Sequence, residues 1–257
     1  MSTTSYAFPI VSIGGLPTAS ITRTALAQCM AQDCASAREQ PDTWLPRVVF
    51  SSNGQGIALV GRDEDFARTM LQADIIHADG MPVVFASRLT ANPLPERIAT
   101  TDFFHDAARI AEEKGLRFYM LGATSAQNAT AIAAIRASYP DLQIVGSHDG
   151  YFGDDQDAEI CENIRNSGAD VVWVALGKPR QEHWSIRNRS RLQGVGWIKT
   201  CGGLYSFLAG DAPRAPSWMQ AAGLEWLYRA AKEPTRLGWR YLTTNPYSLY
   251  RLLRYTK

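Results

Sequence analysis

Short apolar runs alternate with longer stretches of helical periodicity along most of this chain. The runs Val48 to Phe50, Arg117 to Leu121, Gln143 to Val145, Val171 to Ala175 and Val195 to Thr200 read as strands. Ile21 to Arg38, Glu64 to Gln72, Thr101 to Lys114, Ser125 to Tyr139, Asp155 to Ser167 and Pro179 to Arg191 read as helices. Strands this short and apolar, separated by helices, predict a doubly wound α/β sheet with mostly parallel strands. Ligands of such sheets sit beyond the carboxyl ends of the strands. The loops Ser51-Ser52-Asn53-Gly54, Leu121-Gly122-Ala123-Thr124 and Ala175-Leu176-Gly177-Lys178-Pro179 therefore converge on one crevice.

The pattern changes at Ala209-Gly210-Asp211-Ala212-Pro213 and Pro216, where Pro and Gly interrupt it. This divides a core, residues 1–211, from a C-terminal helical appendage, residues 212–257. Ser217 is placed to cap a helix reaching about Lys232 and stopped by Glu233-Pro234, and Tyr247 to Tyr255 reads as a short amphipathic helix.

Charge sharpens the division. The appendage holds eight Lys or Arg, two acids (Glu225 and Glu233) and eight Trp or Tyr, a net +6 against −5 for the rest. A basic, aromatic strip suits an anionic and partly apolar surface, either a membrane face or a substrate embedded in one. No apolar run approaches the roughly 20 residues that span a bilayer. Met1 to Pro9 lacks a secretory pattern, so a peripheral position at the inner, cytoplasmic face of the cell membrane is expected. Basic residues confined to the tail, without a recognition motif, argue against nucleic acid. Exposed aromatics there leave homo-oligomers open. The cysteines, Cys29, Cys34, Cys161 and Cys201, lack CxxC spacing and read as buried reduced thiols.

Two residues carry candidate chemistry. Asp79, in His77-Ala78-Asp79-Gly80-Met81-Pro82, ends an apolar run and precedes a helix. It reads either as the N-cap of that helix or as a general base that deprotonates an attacking hydroxyl. Arg97 precedes another helix start, where a cation is unfavourable unless an anion such as a diphosphate is bound; the alternative is an ion pair with Glu96. The run Gly177-Lys178-Pro179-Arg180-Gln181-Glu182 follows the most apolar strand and suits nucleotide reading, with Arg180 as a solvated helix start. No DxD pair stands at a strand end, so neither metal nor cofactor is expected, and charge on a leaving diphosphate falls to arginines and helix N-termini. Cys201 has no suitably spaced His and reads as structural.

Together these residues resemble the WecG/TagA/CpsF family of bacterial glycosyltransferases from about Val48 to about Tyr241. The resemblance rests on Ala78-Asp79-Gly80-Met81-Pro82, Pro95-Glu96-Arg97, Gly150-Tyr151-Phe152, Gly177 to Glu182, Ala209 to Pro216, Gly223-Leu224-Glu225-Trp226-Leu227-Tyr228-Arg229 and Glu233-Pro234-Thr235-Arg236. It implies a Rossmann-like core with an appendage, and metal-independent, inverting transfer of a sugar from a UDP donor to a polyprenyl-diphosphate-linked saccharide. It makes Asp79 the base and Arg97 the stabiliser of diphosphate charge. Ser51, Asn53, Gly122, Tyr151, Gly177, Lys178, Gln181 and Glu182 form the substrate-binding set. Arg214, Arg229, Arg236 and Arg240 hold the lipid diphosphate. Thr100 replaces a common Gly after the ERxx sequence, and Pro82 departs from the DGxG form. The DGMP form looks more like the xanthan-type branch, which favours glucose and exopolysaccharide synthesis, with N-acetylmannosamine or N-acetylmannosaminuronic acid transfer as the alternative. From other classes, a noncatalytic membrane scaffold remains, and a dinucleotide-dependent oxidoreductase would need a glycine fingerprint that is missing.

Overall fold

The computed structural model describes residues 8–257, except for the side chain of Arg236. The leader expectation therefore falls mostly outside the described residues, as does the assignment of the Arg236 side chain. A hairpin of β1 (Ile10–Ile13) and β2 (Leu16–Ala19) opens the fold. Its turn residues Gly14 and Gly15 have φ of 61° and 90°, which suits the twist of a two-residue hairpin.

The strands β3 (Arg47–Ser52), β4 (Ile75–Ala78), β5 (Arg117–Gly122), β6 (Gln143–His148), β7 (Val171–Ala175) and β8 (Trp197–Thr200) form one parallel sheet in the order β4-β3-β8-β7-β5-β6. Every residue of the central strand β7 is buried, as its unbroken apolar sequence requires. One face packs on α1 (Arg23–Glu39), α5 (Thr100–Lys114), α6 (Ser125–Ser138) and α9 (Leu204–Leu208). The other packs on α2 (Gly54–Val60), α3 (Glu64–Met70), α4 (Met81–Ser87), α7 (Asp157–Asn166) and α8 (Arg180–Arg187). The fold is thus the α/β, Rossmann-like doubly wound arrangement read from the sequence. The four cysteines are free and buried.

The last segment holds α10 (Ser217–Ala221), α11 (Glu225–Lys232), a π-type turn at Pro234–Gly238 and α12 (Trp239–Arg254). The single helix expected from Ser217 to Lys232 is broken. Gly223 turns the chain at φ 74°, and a Cβ there would lie 3.2 Å from Met81 Cβ, so the break lets the backbone approach α4. Ser217 is inside α10 and makes no side-chain cap. The amphipathic helix at Tyr247 to Tyr255 is the second half of α12, a longer element of 16 residues.

α12 lies against α2 and α4, with Ser248 and Leu252 buried. Tyr247 Oη donates to Gly61 O at 2.9 Å, Arg251 Nη2 to Gly14 O at 3.2 Å and Gly15 N to Tyr255 O at 3.0 Å, which fastens the chain end to the hairpin. Its outer face exposes Trp239, Leu242, Leu249, Tyr250 and Leu253. No described helix is long and apolar enough to cross a membrane.

Candidate active site

The segments that follow β3, β4, β7 and β8 carry Asn53, Asp79, Lys178, Gln181 and Gly202 at one edge of the sheet, the edge that bounds the candidate cleft. Asp79 follows β4, and its N–H donates to Ser52 O at 2.8 Å, which ties the loop to β3. It does not cap α4, whose cap is Gly80 with no side-chain bond. Instead its Oδ1 accepts from Thr100 N at 3.2 Å, at the start of α5, where the cap residue Ala99 has no side-chain acceptor to offer. The carboxylate thus serves a helix 21 residues away in sequence, and no described residue bonds to Oδ2.

Arg97 is held by the same loop. Its Nε donates to Asp79 O at 2.8 Å and its Nη2 to Glu225 Oε2 at 2.6 Å. The local pair with Glu96 does not form; Glu96 Oε1 accepts from Arg23 N at 2.7 Å. Glu225, from α11, is a residue the sequence reading passed over. One of only two acids in a segment of net +6 was the available signal.

On the other side of the cleft, the buried Lys178 ammonium donates to Glu182 Oε1 at 2.6 Å and to Ser51 O at 3.2 Å. Gln181 Nε2 meets the same Glu182 oxygen at 2.9 Å, while its Oε1 accepts from Gly202 N at 3.0 Å, joining the loops after β7 and β8. Asn53 uses its Oδ1 to cap α2 through Gly56 N at 3.0 Å. Gly122, at φ 126°, lies against the Ala175 carbonyl, where a Cβ would approach to 2.4 Å. Tyr151 is exposed, in the loop that follows β6. Gly177 turns at φ 77° with open space where a Cβ would stand.

Arg180 differs from the solvated helix start expected of it. It donates to Gly150 O at 2.6 Å and Phe152 O at 2.5 Å and stacks on the Phe152 ring, fixing the Tyr151 loop. Of the appendage arginines, Arg214 reaches the site network, pairing with Asp102 and lying 3.9 Å from Glu225 Oε1. Arg229 sits over the Phe207 ring and Arg240 over Tyr241.

Beneath the cleft lie two fully buried titratable groups, His77 and Lys199. Burial, reinforced by the Lys199 charge, holds the His77 imidazole well below its usual range, so it is neutral. Burial likewise lowers the Lys199 ammonium to about 8, against the opposing pull of Cys201, Asp79 and Glu182. A cation inside the apolar run Val195 to Thr200 was the overlooked signal. Because Lys199 binds its proton less tightly folded than unfolded, it opposes folding below about pH 8, and this cost disappears as pH rises toward the ordinary 10.5. The thiols act in the opposite sense: burial lifts Cys161 and Cys201 to about 12, so they weaken the fold above pH 9. Comparing Lys199→Met with wild type cancels the Cys161 contribution, whose neighbours do not include Lys199, whereas Cys201 loses the Lys199 charge that lowers its pKa. In the variant the Cys201 thiol therefore holds its proton more tightly still. The variant is expected to gain up to about 3 kcal/mol at neutral pH, and the gain should fall away as pH rises from about 8 through 10.5. Urea midpoints across that range measure it; a pH-independent gain would refute a desolvated ammonium.

The sequence profile described as the Glycosyl transferase WecG/TagA/CpsF family matches residues 11–257. An N-acetylglucosaminyldiphosphoundecaprenol N-acetyl-beta-D-mannosaminyltransferase of Bacillus subtilis (strain 168) is 33% identical over 205 residues, covering 80% of this chain and 78% of the relative. A relative of the same name from Bacillus spizizenii (strain ATCC 23059 / NRRL B-14472 / W23) is 32% identical over 192 residues, covering 75% and 73%.

Proposed function

The chain belongs to the WecG/TagA/CpsF family of glycosyl transferases, and on that premise we propose that it transfers an N-acetylmannosamine-type sugar from a UDP donor to an N-acetylglucosaminyl-diphosphate-polyprenyl acceptor. The names of both relatives favour this sugar over glucose, so the glucose preference read from the DGMP form finds no support in them. The observation that carries the reading is the coupling of Asp79 to Arg97. A carboxylate with one free oxygen and a guanidinium bonded to that residue's own carbonyl at 2.8 Å form one unit.

In the proposed step the acceptor hydroxyl oxygen attacks the anomeric carbon and Asp79 Oδ2 takes its proton. The bond from the anomeric carbon to the diphosphate breaks, its electrons leave with UDP, and Arg97 stabilises the charge. Attack opposite the leaving group inverts the centre, with the Arg97 cation facing the departing diphosphate. The exposed apolar face of α12, with Arg254 in its last turn, lies in the headgroup layer and presents the candidate site to the lipid carrier.

Radiolabel from a panel of UDP-sugars tests this, with a long-chain polyprenyl-diphosphate N-acetylglucosamine in anionic vesicles beside a short-chain soluble analogue. Label from UDP-N-acetylmannosamine in lipid-extractable product, formed faster on vesicles, is expected. Label from UDP-glucose alone would overturn the sugar assignment, and equal rates on both acceptors the membrane contact.

A further inference from the structure

We propose that Glu225 is the positioning residue of the transfer reaction, the group that fixes Arg97 for the departing diphosphate. The inference rests on the transfer reading above and adds a residue to it.

An acid in the first turn of α11 has a plain explanation in the helix dipole. The geometry goes further. Glu225 makes no cap on its own helix, whose cap residue is Leu224. Its carboxylate turns to Arg97, 128 residues away in sequence, and the two side chains are only 19% and 15% exposed. Its second oxygen faces Arg214, which is itself anchored on Asp102 in the first turn of α5 and on Gln220. Two guanidinium groups therefore share one carboxylate. One is bonded to the backbone of the candidate base and the other to the helix that the base caps.

This fixes Arg97 at two of its three nitrogens. Nε is taken by the Asp79 carbonyl and Nη2 by Glu225, so Nη1 is left as the edge for a ligand. A free arginine carries substantial rotamer entropy, whereas a guanidinium clamped on both sides is ordered before the substrate arrives. That difference matters little for holding a flexible diphosphate in the ground state. It matters for the transition state, where donors must already stand where charge develops, and where a misplacement of about 1 Å costs on the order of 100-fold in rate. Loss of Glu225 should thus appear in kcat and not in donor binding.

The test is a double-mutant cycle on the full chain in the vesicle transfer assay, with melting temperature and circular dichroism recorded for each variant. Glu225→Ala should lower kcat about 10- to 100-fold with donor KM within about threefold of wild type. Glu225→Gln, which keeps an acceptor oxygen for Nη2, should recover part of the loss. In an Arg97→Ala background, Glu225→Ala should cost less than about twofold more, because its target is gone. Losses that multiply would overturn the proposal and mark Glu225 as a general support of the appendage. Unchanged kcat with a lower donor KM would overturn it as well, showing the carboxylate as a competitor for the anion position. A wild type that transfers no sugar refutes the transfer reading itself, an outcome separate from either.

Discussion

Asp79→Asn is expected to lower kcat by about 100- to 10,000-fold, the range in which general-base catalysis contributes, while leaving the fold in place. The substitution separates the two uses of this side chain. Asn keeps an oxygen that accepts from Thr100 N, so the first turn of α5 stays capped. It also keeps the backbone carbonyl that receives Arg97 Nε. What it loses is the ability to take a proton at Oδ2. Asp79→Ala removes the cap too, and should add a stability loss of about 1 kcal/mol to the same loss of turnover. Steady-state transfer and thermal melts on both variants distinguish the uses. Near wild-type turnover in Asp79→Asn would mean that Asp79 is a structural cap and that the acceptor loses its proton to another group.

The same residue shows what a sequence discloses about a site and what it withholds. Its position at a strand end was legible, since an apolar run closing on Asp-Gly before a helix has few readings. Capping was legible as a tendency of Asp, but the helix it caps was not: α5 comes to Asp79 through the packing of the sheet, not through adjacency. Arg97 repeats the lesson. Local reasoning offers Glu96, whereas the partner observed is Glu225, brought by the fold of the last segment. Strands β5 and β7 were readable because burial on both faces demands continuous apolar sequence. The hairpin was not read, although Gly14-Gly15 marks its turn. Its strands are only four residues long, and Pro17 interrupts the second. The break at Gly223 has no local necessity, because its cause is the surface of α4.

A large effect on stability is expected at the opposite wall of the cleft. Glu182 is fully buried, and one oxygen, Oε2, finds no partner among the described residues. The other oxygen receives Lys178 Nζ at 2.6 Å and Gln181 Nε2 at 2.9 Å. Lys178 is therefore the cation in direct contact with a carboxylate that water does not reach. Coulomb attraction in such a site offsets a desolvation penalty already incurred, so removing one partner costs far more than the pair contributes as a whole. Lys178→Met keeps much of the aliphatic bulk beside Phe66, whose ring lies 5.9 Å from the ammonium, and leaves the carboxylate without this partner. The expected loss is about 3–5 kcal/mol, read as a lowered urea midpoint at unchanged slope. Adding Glu182→Gln removes the stranded charge while keeping an acceptor for Gln181, and should restore more than half of that loss. Gln181 would remain bonded to Gly202 N, so the loops after β7 and β8 stay joined in the double variant. A single variant as stable as wild type would mean that the Glu182 charge is neutralised or solvated without Lys178. A double variant no better than the single would place the cost in packing around residue 178 and not in the unpaired carboxylate.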